Sequence, residues 1–243
     1  MSYYRTLIQE QTVSPYLANL IAYYPFNANA NDFSGNSYNG TILSTPVTFV
    51  SGKVNNAISF PNNNNPTGVE IPDNNNFTFA DLTSDLPFTI SMWVNITAFS
   101  ASTNYIFYKV ATSNYEYRLS INSAGVINFV KGNLLFTANQ TITSALGTIT
   151  TGVWNNIVIT NSSSNIAGVN FYLNGTLLTV TRATTGSYLR MANGTALPTF
   201  AIGASTTKHR GLIDEAYIWK NREMNATEVL DIYNKGNAGQ TLI

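Results

Sequence analysis

The chain has 243 residues, 44% of them hydrophobic and 12% aromatic, which is enough to bury a substantial core as one domain. Its 12 basic and 12 acidic side chains cancel, and charged residues make up only 10% of the total, so no basic field exists to hold a phosphate backbone and nucleic acid is not expected as a partner. The absence of cysteine removes disulfides, thiolate metal sites and cysteine nucleophiles together, and neither a signal-peptide pattern nor a run of membrane-spanning length is visible.

In chain order, residues 1–19 hold Tyr3, Tyr4, Leu7, Ile8, Val13 and Tyr16 without a clean period. They read as an N-terminal arm, either packed on the edge of the domain or docked onto a partner or another copy. LIAYYPF at 20–26 predicts a strand ended by proline, and NANANDFSGNSYNG after it is dense in residues that make turns. TILSTPVTFV, AISF and VEIP add short strands separated by asparagine-rich loop tips.

FTISMWVN at 88–95 alternates cleanly: Phe88, Ile90, Met92 and Val94 form a core face, and Thr89, Ser91, Trp93 and Asn95 the other. Trp93 on that second face either stacks on a sugar ring or packs under a covering loop. YIFYKV, YEYRLSI and VINFVKG, between 105 and 132, predict the middle of a sheet. In YEYRLSI the period of two puts Tyr115, Tyr117, Leu119 and Ile121 inward and Glu116, Arg118 and Ser120 outward. With Lys109 or Lys131, the outward residues would make a polar patch able to hydrogen-bond a glycan; ordinary cross-strand charge pairing is the alternative.

WNNIVIT at 154–160 breaks the alternation and predicts a bulge or bend, and Asn174-Gly175 within VNFYLNGTLLTV predicts a tight type I′ hairpin. His209 falls in a presumed surface loop. In LIDEAYIW at 212–219, Ile213, Glu215, Tyr217 and Trp219 share one face and Leu212, Asp214, Ala216 and Ile218 the other, one acid facing each way. Asn225 and Glu228 form a capping box, Val229, Leu230, Ile232 and Tyr233 an apolar helix face, and Gly236 a left-handed end. No pair of acids alternates on one strand, and no base is marked to activate a nucleophile, so the sequence predicts no enzyme.

The closing GLIDEAYIW, preceded in order by YYPFNANANDFSGNSYNG at 23–40, GKVNNAISF at 52–60, FTISMWVN, WNNIVIT and VNFYLNGTLL at 169–178, resembles the laminin-G-like jelly roll of the concanavalin A-like superfamily. The resemblance implies an all-β, two-sheet antiparallel jelly-roll sandwich over residues 20–237 with a short C-terminal helix, an arm at 1–19 and a tail at 238–243. It also implies a structural calcium site, with Asp32 as a side-chain ligand, loop carbonyls around Asn29 and Gly35, and Asp214 reaching across from the last strand. The residues themselves equally allow an Asx-turn at Asp32.

These readings converge on a non-enzymatic carbohydrate-binding or adhesion protein with Trp93, Lys109, Glu116, Arg118 and Lys131 as ligand-binding residues. Its expected setting is extracellular or on a phage or virus particle, as a fibre, decoration or receptor-binding component. A glycan or surface protein would be its partner, with homo-oligomer or particle contacts through residues 1–19. Two alternatives stay open. One is a purely structural particle subunit that binds its neighbours; the other is a glycoside hydrolase of the same superfamily, which needs two carboxylates about 5–10 Å apart in a cleft.

Overall fold

Alternating apolar and small polar residues make strands wherever the alternation runs, and two sheets bury their apolar faces against each other. The computed structural model describes residues 13–43, 47–60, 68–72, 74–99, 103–111, 114–133, 135–193, 200–203 and 209–243. The first sheet holds β1 (Leu20–Tyr24), β3 (Thr48–Ser51), β4 (Asn56–Phe60), β6 (Phe88–Ile96), β11 (Trp154–Asn161), β12 (Val169–Leu173), β13 (Thr176–Leu177) and β16 (Gly211–Lys220). The second holds β2 (Thr41–Ile42), β5 (Val69–Ile71), β7 (Thr103–Ala111), β8 (Asn114–Asn122), β9 (Ile127–Gly132), β10 (Asn139–Thr143), β14 (Thr181–Thr185) and β15 (Phe200–Ile202).

The strand orders are β13-β12-β11-β6-β16-β4-β3, with β1 also on β16, and β14-β10-β9-β8-β7-β15-β5-β2. Every recorded pairing is antiparallel. Runs of consecutive strands are joined by non-sequential neighbours such as β11-β6, β6-β16 and β7-β15, which gives the crossed connections of a jelly roll, as the sequence motifs imply.

Phe88, Ile90, Met92 and Val94 of β6 point into the inter-sheet core, against Tyr117, Leu119 and Ile121 of β8. Phe79 stacks on Phe88 at 4.5 Å and on Tyr117 at 5.1 Å between ring centroids. Burying each such side chain contributes roughly 1.5–3 kcal/mol. The hairpin turn is as expected, with Asn174 at φ 52° and Gly175 at φ 78°.

Four expectations change, the first three within the sheets and the loop before β16. β11 pairs with β6 without a register shift from Trp154 opposite Asn95 to Asn161 opposite Phe88, so the bend predicted in WNNIVIT is absent. Ile157 and Ile159 enter the core, and Trp154 is half-buried on the other face. The irregularity sits in β16 instead, between Asp214 and Tyr217, where Glu215 takes φ 50°. That extra residue turns Ile213 into the core with Ala216 and Ile218, while Asp214 opposite Trp93 and Tyr217 opposite Ser91 lie on the outer face. His209, expected on the surface, is fully buried edge-on against Phe60, and burial lowers its pKa to about 3.

The outer face of the first sheet is covered by α1 (Ala226–Asn237), which packs Val229 and Ile232 onto Tyr217, Trp219, Val158 and Tyr172. Its capping box forms as predicted: Asn225 Oδ1 accepts from the Thr227 and Glu228 amides, and Glu228 Oε2 accepts from the Asn225 amide. The left-handed end lies further on than expected, at Gly239 with φ 74°, and Gly236 stays within the helix.

The end of the expected arm packs on this same layer. Tyr16 is buried, Trp219 Nε1 donates to its carbonyl at 2.7 Å, and its hydroxyl donates to Asp231 at 2.6 Å. Ser14 Oγ donates to the Leu242 carbonyl at 2.7 Å, which ties the C-terminal tail to the same place. The rest of the expected arm, residues 1–12, lies outside the described residues.

Candidate functional site

Among the described residues no helix covers the outer face of the second sheet. Its strand registers place Glu70, Ala201, Tyr108, Arg118, Val130 and Thr141 in one row across β5, β15, β7, β8, β9 and β10. Tyr105, Ser120, Asn128 and Thr143 form the next row. Tyr108, Ala201, Tyr105 and Tyr115 pack as a cluster separate from the inter-sheet core.

Two bulges create this arrangement. In β7 the register shifts between Tyr105 and Phe107, so Ile106 and Phe107 both enter the core and Tyr105 turns out beside Tyr108. The second shift lies between Lys109 and Val110, where β8 spends two residues against one. Glu116 is thereby turned inside and Tyr115, expected in the core, comes out.

The three tyrosines then meet in offset and edge geometries: Tyr105 with Tyr115 at 5.8 Å and 24°, Tyr108 with Tyr115 at 5.7 Å and 84°, and Tyr105 with Tyr108 at 6.2 Å and 73°. Arg118 lies across them, with Cζ 4.6 Å from the Tyr115 centroid and 5.6 Å from that of Tyr105. One of its nitrogens donates to Tyr105 Oη at 3.1 Å. Burial pushes the Tyr105 phenol above its ordinary range, against the opposing pull of the Arg118 cation. Tyr105, Tyr115 and Arg118 are each half-buried, and Tyr108 is buried. Beside them Thr143 Oγ1 donates to Asn128 Oδ1 at 2.9 Å, so the floor next to the rings is made of hydroxyl and amide groups.

Of the ligand-binding residues expected from the sequence, only Arg118 reaches this face. Lys109 and Lys131 share a cross-strand row with Tyr117, whose ring is in the core, and both are fully buried. Lys131 Nζ donates to Asp85 at 2.8 Å, Asn161 Oδ1 at 2.8 Å and the Ser163 carbonyl at 3.0 Å. Burial pulls its pKa down and the Asp85 carboxylate opposes that. Lys109 pairs with Glu116 at 3.9 Å, both without exposure. The expected outward patch is therefore mostly an internal one, because the bulge turns Glu116 inside and the register sets Lys109 and Lys131 beside the inward-facing Tyr117. Trp93 is packed beneath α1, stacked on Tyr233 at 5.7 Å with Lys53 Nζ 4.8 Å from its centroid.

Of the residues expected to hold calcium, Asp32 and Asp214 both accept from backbone amides, and Asp214 Oδ1 is buried without a hydrogen-bond partner among the described residues. Asp32 Oδ1 accepts from the Tyr23 and Ser34 amides, and Oδ2 from Ser34 Oγ and the Tyr38 amide. Those four donors meet the lone-pair sites of a carboxylate, so the Asp32 geometry fits the Asx-turn that the residues also allowed. Asn29 Oδ1 accepts from the Asn31 amide at 2.9 Å, and Gly35 serves the turn with φ 95°. Asp214 Oδ2 accepts from the Lys53 and Val54 amides at 2.8 Å each. Burial raises the Asp214 carboxyl to about 8. Glu215 beside it, held by the hydroxyls of Tyr23 and Tyr217, rises to about 7 for the same reason. Both acids lie on the face that α1 covers, away from the open sheet.

Sequence reasoning missed Tyr105, Tyr108 and Tyr115. The available signal was the adjacent apolar pair Ile106-Phe107 inside an alternating strand, which calls for an extra residue if both are to be buried.

The family model described as the Concanavalin A-like lectin/glucanases superfamily matches residues 63–230. No curated protein matches the chain. Among solved structures, the binding domain of Paraclostridial Mosquitocidal Protein 1 superposes with a TM-score of 0.67 at 19% identity, covering 90% of this chain and 52% of that one. Domain 4 of AbnA, an extracellular arabinanase from Geobacillus stearothermophilus solved with arabinotriose, gives 0.60 at 21% identity, over 88% of this chain and 98% of that one. Trypanosoma rangeli sialidase in complex with sialic acid gives 0.65 at 18% identity, over 92% of this chain but 34% of the sialidase. At these identities the likeness establishes the fold, and the chain spans only part of the first and third of these structures.

Proposed function

Since the chain belongs to the concanavalin A-like lectin/glucanase superfamily, we propose that it is a non-enzymatic carbohydrate-binding protein that holds a sugar chain on the outer face of its second sheet. The observation that carries this reading is the cluster of Tyr105, Tyr108 and Tyr115, with Arg118 against the rings of Tyr105 and Tyr115, on the sheet face that no helix covers among the described residues. A sugar ring presents C–H groups to an aromatic face and hydroxyls at its rim. Tyr105 and Tyr115 supply the apolar surface, and Arg118, Asn128 and Thr141 supply donors and acceptors around it. Domain 4 of the arabinanase, a neighbour in fold, was solved with an arabinose oligomer, which supports a saccharide as the class of ligand.

Low charge and abundant small polar residues suit an adhesive role in an extracellular or particle-surface setting, and that setting is part of the proposal. The test is a glycan array followed by calorimetry on the best ligand. Tyr115→Ala should abolish binding while leaving the circular dichroism spectrum unchanged; binding that survives this change places the site elsewhere.

A further inference from the structure

Resting on that reading of the face, we propose that the sugar it takes carries a carboxylate, as in a uronic or a sialic acid, and that Arg118 selects it. The guanidinium stands on a row whose other members beside it, Ala201, Tyr108, Val130 and Thr141, are all neutral. Among the described residues its hydrogen bond goes to Tyr105 Oη, and it makes no ion pair. The acid two residues before it, Glu116, is turned into the core beside Lys109. The one acid on its own row, Glu70, is separated from it by β15 and β7. Arg118 is thus a cation held at a fixed orientation with no carboxylate paired to it among the described residues.

The way it is held matters. Contact with the rings of Tyr115 and Tyr105, together with the hydrogen bond to Tyr105, restricts the side chain before any ligand arrives, which reduces the entropy lost on binding. A neutral pyranose needs an aromatic face and scattered donors, and any amide or hydroxyl could supply the latter. A planar guanidinium adds something specific, because its paired N–H groups match both oxygens of a carboxylate. Next to three aromatic rings the local dielectric is lower than in water, so the pair is worth more there than on an open surface. With a formal net charge of zero, the chain has no general field to attract anions, and the preference would rest on this one residue.

The test is calorimetry of the full chain with two matched pairs: trigalacturonate against its methyl ester, and sialyllactose against lactose. A parallel array of neutral and acidic glycans uses the same protein. We expect at least one acid to bind about tenfold more tightly than its neutral partner, with a preference that shrinks as salt is raised. The pair that shows the preference tells a uronic from a sialic acid. Arg118→Gln should remove the preference and leave weak binding, and Arg118→Lys should restore only part of it. Lys235→Gln, on the helix at the opposite side, should change nothing. Acidic and neutral sugars bound alike, or Arg118→Gln weakening both equally, would overturn the acid preference while the sugar face stands. Neutral glycans as the sole array hits, lost in Tyr115→Ala, would do the same. No hit of either kind overturns both readings.

Discussion

The Trp93 indole lies directly over Gly236 of the C-terminal helix: a Cβ added to that glycine would fall 2.3 Å from Trp93 Nε1. Glycine inside a helix ordinarily costs up to about 1 kcal/mol relative to alanine. Here the sign reverses, because the helix can approach the sheet only where it has no side chain. Gly236→Ala should lower stability by about 1–3 kcal/mol, measured as a lower urea midpoint with unchanged slope. A variant as stable as the parent would mean that α1 is free to shift on the sheet.

The buried carboxyls beneath α1 make stability depend on pH with a definite sign. Glu215 is raised to about 7 and Asp214 to about 8, both by burial first. Folding therefore favours their protonated forms. Their contribution is fully present below the unfolded carboxylate range near pH 4 and is lost as pH rises through 7 to 8. Urea midpoints of the parent and Glu215→Gln, taken from pH 4 to 9, should converge at low pH. The variant should be the more stable of the two above pH 7, and a constant difference across the range would show that Glu215 does not titrate in this way.

Lys131 offers a test of the corrected side-chain placement. Its ammonium neutralises Asp85, which also accepts from Tyr188 Oη at 2.8 Å and from the Met191 amide at 2.6 Å. Lys131→Met should destabilise by about 3–5 kcal/mol, because an uncompensated carboxylate is left buried, and adding Asp85→Asn should recover part of the loss. If Lys131→Met weakened sugar binding at full stability, the lysine would have to face outward.

Calcium should have little effect on the folded state. The oxygens of Asp32 are taken up by donors from Tyr23, Ser34 and Tyr38, so the melting temperature should be the same in excess chelator and in millimolar calcium. Asp32→Ala, which strands those amides, should cost about 1–3 kcal/mol in either condition. A calcium-dependent rise of several degrees would show that the loop rearranges to bind the ion.

Much of the fold was legible because its signals are local. The alternation in FTISMWVN, the Asn174-Gly175 turn and the Asn225/Glu228 capping box are short-range patterns, and each forms as the residues dictate. The order of the motifs along the chain carried the jelly roll.

The face that each side chain presents was legible only where a strand is regular. One extra residue in a strand reverses every side chain beyond it, and whether the chain accepts that residue depends on partners far away in sequence. The bulges at Ile106, Glu116 and Glu215 moved Tyr105 and Tyr115 to the open face, drew Glu116 inside and brought Asp214 and Glu215 under α1. Lysine burial was likewise beyond the sequence, since Lys131 is tolerated in the interior only because Asp85, Asn161 and Ser163, 46, 30 and 32 residues away, converge on its ammonium. Strand periods and caps determined the strands and the capped helix, and the resemblance in motif order implied the two-sheet sandwich. Which face no helix covers among the described residues, and that it carries three tyrosines and an arginine, was decided by tertiary contacts, because burial and pairing fix the phase of a strand and sequence alternation only suggests it.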